Sequence, residues 1–315
     1  MSYTLVEASK LSNDVLAQGV VELFVQDDPL LMRLEIEQIL GNAYKYDREA
    51  SEDSAEFYAA NADWNYTTFT VDQHTVTTKI LGSAAEIDHY TATSRGNIND
   101  LKAEILEKKT KALKKQMGST IVYGDEDTNA KEFDGLQQLI SSATYNTIVA
   151  DDGDTQTVVL SCQNHLDTAI DMIKGFNPTM ILMSKGMKRN LTTYLRSVGS
   201  INTGRDEFSK QVQKYGDAEI PIYGSDYILN TELTSSGLYS AKTGGLTTSI
   251  YILSLGGKGL KLAQTGGPME TLPWERVPGT NKEWAQIRWY PGMMMESLVS
   301  CIKIIGIDAD GTVAA

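Results

Sequence analysis

The sequence predicts an α+β protein whose extended front third precedes a compact α/β layer. Three features predict this class: two runs rich in β-branched and aromatic residues, one long segment with helical periodicity, and alternating strand and helix patterns between residues 155 and 255. The 315-residue chain can form about two domains with a large core. Its 41% hydrophobic and 22% charged residues are typical of a folded protein.

The charge balance indicates that the protein does not read DNA. Its formal net charge is -13, whereas binding to a nucleic-acid backbone depends on Lys and Arg displacing counterions from phosphates. This charge is compatible with a container that surrounds nucleic acid. The distant Cys162 and Cys301, and a start without a signal segment, favour a cytoplasmic setting. The apolar run 19–25 contains Glu22 and is shorter than a membrane span of about 20 residues, so we expect no membrane role.

Residues 1–42 predict an amphipathic N-terminal arm. The stretches "LAQGVVELFV" and "PLLMRLEIEQIL" each have the apolar spacing of a short helix, and Pro29 suits a helix start. The apolar faces of these helices need a partner. Together with the ribbon and the long helix described below, the arm indicates a chain that covers surface supplied by other copies of itself.

Residues 43–95 predict a β-ribbon. The runs "TTFTV" and "HTVTTKIL" favour strands and are separated by Asp72-Gln73, which suggests a two-stranded hairpin. An isolated ribbon is marginal in water and needs a further packing partner. Trp64, Tyr66 and Phe69 are candidate inter-subunit contacts, since aromatic residues dominate many interfaces, although burial in the chain's own core is an equal alternative.

The segment "GNINDLKAEILEKKTKALKKQMGS" predicts a long helix over residues 97–117. Asn97 can cap it, Asp100 follows three residues later, and apolar residues recur at helical spacing. Its C-terminal half is rich in lysine, which suits the negative end of the helix dipole and is typical of a solvated face.

The later part of the chain predicts an α/β layer. Ser161 and Gly175 suit the start and the stop of a helix. Residues 256–282 are rich in Gly and Pro and predict loops. The predicted strands are "TQTVVL", "TMILMS", "AEIPIYG", "SIYILSL", "WAQIRWYP" and "ESLVSCIKIIGI", and the predicted helices are "SCQNHLDTAIDMIKG" and "KGMKRNLTTYLRSV".

The stretch "GDEDTNAKEFDGL" has alternate acidic residues but lacks the requirements of a calcium loop. Ala130 and Leu136 stand where an EF-hand needs its turn glycine and its bidentate glutamate. We expect instead a turn followed by a short helix that Asp134 caps, with Gln137 as the capping-box partner.

No other motif predicts a catalytic, cofactor or metal site. Cys162 and His165 in "CQNH" share a helix face, but nucleophilic catalysis also needs an orienting group and an oxyanion site. The stretch "SLGGKGLKL" lacks the spacing of a phosphate loop. We therefore expect a chain that is not an enzyme and that assembles with its own copies.

The order of these segments resembles the major capsid proteins of tailed bacteriophages, which have the Hong Kong 97 phage fold. The resemblance covers most of the chain and rests on "LLMRLEIEQILGNAYKY", the ribbon, the long helix running into "YGDEDTNAKEFDGLQQL", the later "FNPTMILMSKGMKRNL" and the terminal strands. It implies an N-arm at 1–42, an E-loop at 43–95 lying across an adjacent subunit, a P domain at 96–145 with its spine helix, an α/β A domain at 146–282, and P-domain return strands at 283–315.

The resemblance also implies the function and the partners. Identical chains would form pentamers and hexamers of an icosahedral shell around DNA, assembled in the host cytoplasm with a scaffolding protein and a portal and located in the virion. Lys79 is the only lysine between Lys45 and Lys102 and no Asn follows Asn281, which disfavours the covalent crosslinks of some members. The alternatives are an encapsulin-like nanocompartment shell and a cytoplasmic α/β hydrolase using Cys162 and His165.

Overall fold

A computed structural model describes residues 2–4, 28–49, 56–60, 63–64, 71–95, 101–140, 147–149, 160–205, 210–216, 219–230, 232, 247–267, 269–309 and 313. Within these residues the chain has the predicted α+β class, with helices packed on mixed sheets. The α-helices are α1 (Pro29–Arg33), α2 (His89–Arg95), α3 (Leu101–Tyr123), α4 (Leu136–Leu139), α5 (Thr168–Met172) and α6 (Lys185–Val198), and a π-helical turn (Cys162–Asp167) leads into α5.

A mixed seven-stranded sheet separates two hydrophobic cores. Successive residues of a strand point to opposite faces, so Tyr251 joins the larger core and Ile252 the smaller one. Helix α6 covers the smaller core with Met187 and Leu191. The strand order is β6 (Thr147–Val149), β17 (Cys301–Asp308), β11 (Thr247–Leu253), β7 (Met180–Ser184), β10 (Ile220–Ser225), β9 (Gln211–Tyr215) and β8 (Asn202–Arg205).

The arm residues 29–39 lie in the chain's own body. The prediction of one helix over "PLLMRLEIEQIL" is wrong beyond Arg33, because Glu35–Ile39 forms a strand, β2. Polar and apolar residues alternate from Leu34 to Glu37, and parallel pairing supplies the backbone hydrogen bonds that a helix would otherwise make. The sheet order is β1 (Ser2–Thr4), β2, β12 (Leu260–Thr265) and β16 (Pro291–Met295).

Two further sheets form the ribbon and its support. The ribbon pairs β3 (Ala43–Glu49) with β4 (Val71–Thr77), and the predicted turn at Asp72-Gln73 is wrong because both residues lie inside β4. Neither residue is the glycine that tight hairpin turns favour, and the chain 43–49 supplies the antiparallel partner instead. The support sheet contains β5 (Leu81–Asp88), β15 (Lys282–Trp289), β13 (Glu270–Thr271) and β14 (Glu275–Arg276).

Helix α3 is the predicted long helix, but it continues to Tyr123 and is about 35 Å long. The expected end at residue 117 is wrong because Gly118 serves close packing rather than termination. A Cβ atom at this position would lie 2.2 Å from the ring of Tyr227. The proposed Asn97 cap lies outside the described residues. No helix in the described ranges combines the length and apolar character needed to cross a membrane.

Most predicted elements of the α/β layer are confirmed. Helix α6 begins at the Ser184 cap, whose side chain accepts from the Met187 N–H, and ends at Gly199 in the left-handed region. The Ser161 cap is also confirmed, since its hydroxyl accepts from the Asn164 N–H. The loop prediction for 256–282 is wrong over β12, and the predicted strand "TQTVVL" lies outside the described residues except for its last residue.

Candidate functional site

The ribbon changes from buried to exposed along its length. At its base, Tyr46 is 8% exposed and packs with Ile39, Ala263 and Met294. The Tyr46 ring also stacks on His74, its cross-strand neighbour, with 6.0 Å between the ring centroids. Towards the far end, by contrast, most described side chains are exposed to solvent. The ribbon is therefore packed at its base, and its described residues become exposed towards the far end.

Aromatic side chains lie exposed on the segment that connects the two strands of the ribbon. Trp64 is 69% exposed and stacks on Tyr58 with 4.5 Å between the ring centroids, and Phe57 is fully exposed. Tyr66 and Phe69, the other two candidate contacts, lie outside the described residues. Exposed aromatic residues on one segment are typical of protein–protein contact sites. That Trp64, Tyr66 and Phe69 contact a neighbouring subunit stays a prediction.

A loop between α3 and α4 fastens the base of the ribbon. The Lys79 ammonium group lies 2.6 Å from a Glu126 carboxylate oxygen and donates to the Ala130 carbonyl at 3.0 Å. The Lys79 backbone N–H donates to the Pro291 carbonyl at 2.9 Å. The sequence alone did not indicate this contact, because Lys79 and Glu126 are 47 residues apart in the chain.

The carboxylates that give this loop the pattern of a calcium site accept hydrogen bonds that close the loop. Asp125 accepts from the N–H groups of Asp127 and Thr128 at 3.0 and 3.2 Å, and from the side chains of Thr128 and Gln138 at 2.7 and 3.0 Å. The Thr128 hydroxyl is the main reason that the pKa of Asp125 is lowered. The described residues contain no group of three acidic, His or Cys side chains placed to hold a metal ion.

The proposed cap of the short helix α4 is wrong. Position Gly135 precedes the helix and has no side chain to cap it, whereas Asp134 accepts from the Glu126 N–H at 2.9 Å. Asp134 therefore orients the residue that binds Lys79. The predicted turn and short helix are otherwise present, with Leu136 and Ile140 fully buried.

The Cys162–His165 pair does not have the features of a nucleophilic site. The Ser161 backbone N–H donates to Nδ1 of His165 at 2.9 Å, so this nitrogen is already engaged. Burial raises the pKa of the Cys162 thiol and lowers the pKa of His165. A reactive thiolate–imidazolium pair needs the opposite shifts, so the geometry gives no support to the hydrolase alternative.

A buried polar cluster connects the end of α3 to the central sheet. Tyr123 donates to one oxygen of Glu232 at 2.5 Å and Ser249 donates to the other. Lys303, which is 4% exposed, donates to the Gln137 carbonyl at 3.0 Å. Burial raises the pKa of Glu232 and lowers the pKa of Lys303 to about 8. A lysine inside the apolar run "CIKII" was the sequence signal for this cluster.

The low pKa of Lys303 predicts a pH-dependent difference between the wild type and Lys303→Met. From pH 7.5 to 10 the unfolded lysine, with a pKa near 10.4, binds more protons than the folded one. The free energy of unfolding contributed by Lys303 therefore rises with pH, by about 2 kcal/mol over this window. We expect the wild type to gain this amount relative to Lys303→Met in urea titrations of the isolated subunit.

The comparison between variants isolates Lys303 from an opposing group. Burial raises the pKa of Cys301 to about 11, which lowers stability as pH rises, but this contribution is present in both proteins. Lys258→Met, at an exposed lysine, serves as the matched control and should follow the wild type at every pH. A constant difference between the wild type and Lys303→Met across the window would contradict the buried, deprotonating lysine.

Comparison with known proteins finds a family model and several solved structures that match the chain. The family model of the SU10 major capsid protein matches residues 8–224, which is more than half of the chain. No curated protein sequence matches the chain. Among solved structures, the holo-SrpI encapsulin complex from Synechococcus elongatus PCC 7942 has a TM-score of 0.67 at 11% identity, covering 91% of this chain and 90% of that chain.

Two further solved structures are similar as well. The capsid of a native GTA particle has a TM-score of 0.59 at 9% identity and covers 91% of this chain and 90% of its own. A chain of the Mycobacterium phage Bobi structure has a TM-score of 0.54 at 10% identity, and the match covers 90% of this chain and 89% of that chain. At such identities the likeness shows the fold alone, and the predicted fold is confirmed.

Proposed function

The chain belongs to the SU10 major capsid protein family, and from this premise we propose that its copies form pentamers and hexamers of an icosahedral head around double-stranded DNA. It is a major capsid protein with the Hong Kong 97 fold, and its place is the virion. The finer proposal concerns how the copies meet. The domain boundaries given above, from the N-arm to the return strands, remain part of this proposal.

The anchored ribbon is the observation that supports the proposal most directly. Its base is held by a part-buried ion pair and a buried tyrosine. The segment that connects its strands exposes Phe57 and Trp64. Exposed apolar surface of this kind commonly marks a protein–protein contact. A ribbon with a fixed base and exposed aromatic residues can make the same contact with a neighbouring subunit throughout a symmetric shell.

The proposal also covers the partners of the shell and a structural rather than catalytic role for the chain. A scaffolding protein and a portal would assist closure in the host bacterial cytoplasm, and the acidic chain would enclose DNA without reading its sequence. The Cys162–His165 geometry supports a structural rather than a catalytic role. An encapsulin-like shell is the second candidate, because the encapsulin structure shares the fold over most of the chain.

Electron microscopy of the expressed chain tests the proposal. We expect closed particles when the chain is produced with its neighbouring reading frames, and nuclease-protected DNA in particles made during infection. Packaged protein without protected DNA would support the encapsulin-like candidate instead. A protein that stays a compact monomer with every helper present would contradict both kinds of shell.

A further inference from the structure

A cleft of about 680 Å³ lies beside the smaller hydrophobic core. The π-helical turn and α5 line one part of it, and the end of α6, the start of β8 and the turn between β9 and β10 line the rest. Small-molecule sites in proteins commonly have volumes of about 300–1,000 Å³. The cleft is therefore large enough to hold a small ligand.

Two carboxylates in the cleft are available to a ligand. Oδ1 of Asp167 accepts from the Tyr215 hydroxyl at 2.8 Å, whereas its Oδ2 has no partner in the part of the chain that the structure describes. The Asp171 carboxylate also has no hydrogen-bond or ion-pair partner among the described residues. Tyr215 is buried, and burial raises its pKa, so its hydroxyl stays protonated and holds Asp167 in place. The cleft thus presents one positioned carboxylate and one free carboxylate.

The chain's own positive charge does not neutralise these carboxylates. Among the described residues that line the cleft, Lys214 is the only basic one. Its ammonium group lies 2.6 Å from a carboxylate oxygen of Glu219, which belongs to the turn between β9 and β10. Because Lys214 is already paired, the cleft keeps an excess of negative charge that favours a cationic ligand.

The cleft also contains apolar and aromatic surface. Ile170 stands between the two aspartates in the sequence, and Tyr194 and Leu195 of α6 line the same cleft. Apolar surface favours the alkyl part of a ligand, and an aromatic ring attracts an ammonium group. A molecule that complements this lining has cationic ends joined by an apolar chain.

We propose that this cleft binds a short alkyldiamine, with one ammonium group on Asp167 and the other on Asp171. Four residues of helix rise by about 6 Å, a separation that the two ends of a molecule such as putrescine can match. A metal ion suits the cleft less well, because the described residues contain no group of three acidic, His or Cys side chains placed to hold one. The bound diamine would stabilise the folded subunit, since it binds the folded chain alone.

Calorimetric titration of the isolated subunit with putrescine tests the site. We expect binding that weakens as the NaCl concentration rises, because salt screens the two ion pairs. Asp167→Asn/Asp171→Asn should raise the Kd by about tenfold or more, since both charge-assisted hydrogen bonds are lost. Asparagine keeps an oxygen that can accept from Tyr215, so we expect this variant to fold, which circular dichroism checks. Asp72→Asn/Asp127→Asn makes the same charge change at exposed aspartates elsewhere and should bind as the wild type does.

Related ligands show whether both carboxylates take part. Butylamine has one ammonium group, so we expect it to bind about tenfold more weakly than putrescine. Equal affinity for the two amines would overturn the two-point contact. No binding of putrescine at low salt, or the same Kd for the wild type and the Asp167→Asn/Asp171→Asn variant, would overturn the site itself.

A last comparison distinguishes a free diamine from an ammonium group of the protein. The titrations above use the isolated subunit, so their outcome does not depend on whether the chain forms a capsid. Closed particles should bind putrescine with the same Kd as the subunit. If putrescine binds the subunit but not the particles, a neighbouring copy covers the cleft, and the free diamine is overturned as its ligand.

Discussion

Leu31→Ala is expected to lower the free energy of unfolding of the isolated subunit by about 2–5 kcal/mol. Leu31 is fully buried in the larger core, which also contains Met117 of α3 and Leu262 of β12. Removing its side chain leaves a cavity between these elements, and the surrounding structure can collapse only in part. Urea denaturation of the unassembled subunit, followed by circular dichroism, measures the loss.

Leu40→Ala is the matched control for this prediction. Leu40 follows β2 in the same arm and is 98% exposed, so its truncation should change stability by no more than about 0.5 kcal/mol. Equal, small effects of both substitutions on the isolated subunit would mean that residues 29–36 are not part of the monomer core. The expected outcome places this part of the arm in the chain's own body, contrary to the expectation that its apolar face waits for another copy.

The arm shows why periodicity alone was insufficient. In "PLLMRLEIEQIL" the apolar residues fit one face of a helix, but they fit an interior strand nearly as well over its second half. The choice was made by β12, more than 220 residues later, which offers a parallel partner to Glu35–Ile39. Tertiary pairing of this kind overrides local propensity, and the short alternation in the arm does not decide between a helix and a strand without it.

The elements that could be predicted are those whose ends are marked by capping residues in the local sequence. Helix α6 has a serine cap at one end and a left-handed glycine at the other, and the predicted bounds agree with the structure. The ribbon strands were placed wrongly because β3 and β4 are joined across more than 20 residues. The long helix was predicted to end at residue 117 but continues through Gly118, whose packing partner, Tyr227, is distant in sequence.

The candidate site was predictable in kind but not in geometry. Aromatics in a ribbon without a local core indicate a contact surface, and Trp64 is indeed exposed. The ion pair between Lys79 and Glu126 joins two segments 47 residues apart that lack any shared motif, so only the fold shows that they meet. The acidic stretch after α3 shows the same limit, since its carboxylates close a loop and hold the ribbon instead of binding metal.

Trp64→Ala/Tyr66→Ala/Phe69→Ala is expected to abolish particle formation while leaving the folded subunit intact. Aromatic anchors of an interface commonly contribute 2 kcal/mol or more each, roughly, and their loss is multiplied over the many contacts of a shell. The exposed position of Trp64 predicts little cost to the monomer, because its ring stacks only on the neighbouring Tyr58 among the contacts described. Particle yield by sedimentation and thermal unfolding of the subunit measure the two effects separately.

The relation between these two measurements decides what the aromatics do. Leu229→Ala and Val198→Ala, at exposed apolar residues outside residues 43–95, should leave both measurements unchanged and so exclude a general loss of surface hydrophobicity. If the triple variant unfolds earlier in proportion to its lost particles, the rings belong to the subunit's own core. If the subunit is unchanged and particles are lost, the rings bind a neighbouring copy, and the ribbon is an assembly element because its anchors act only between subunits.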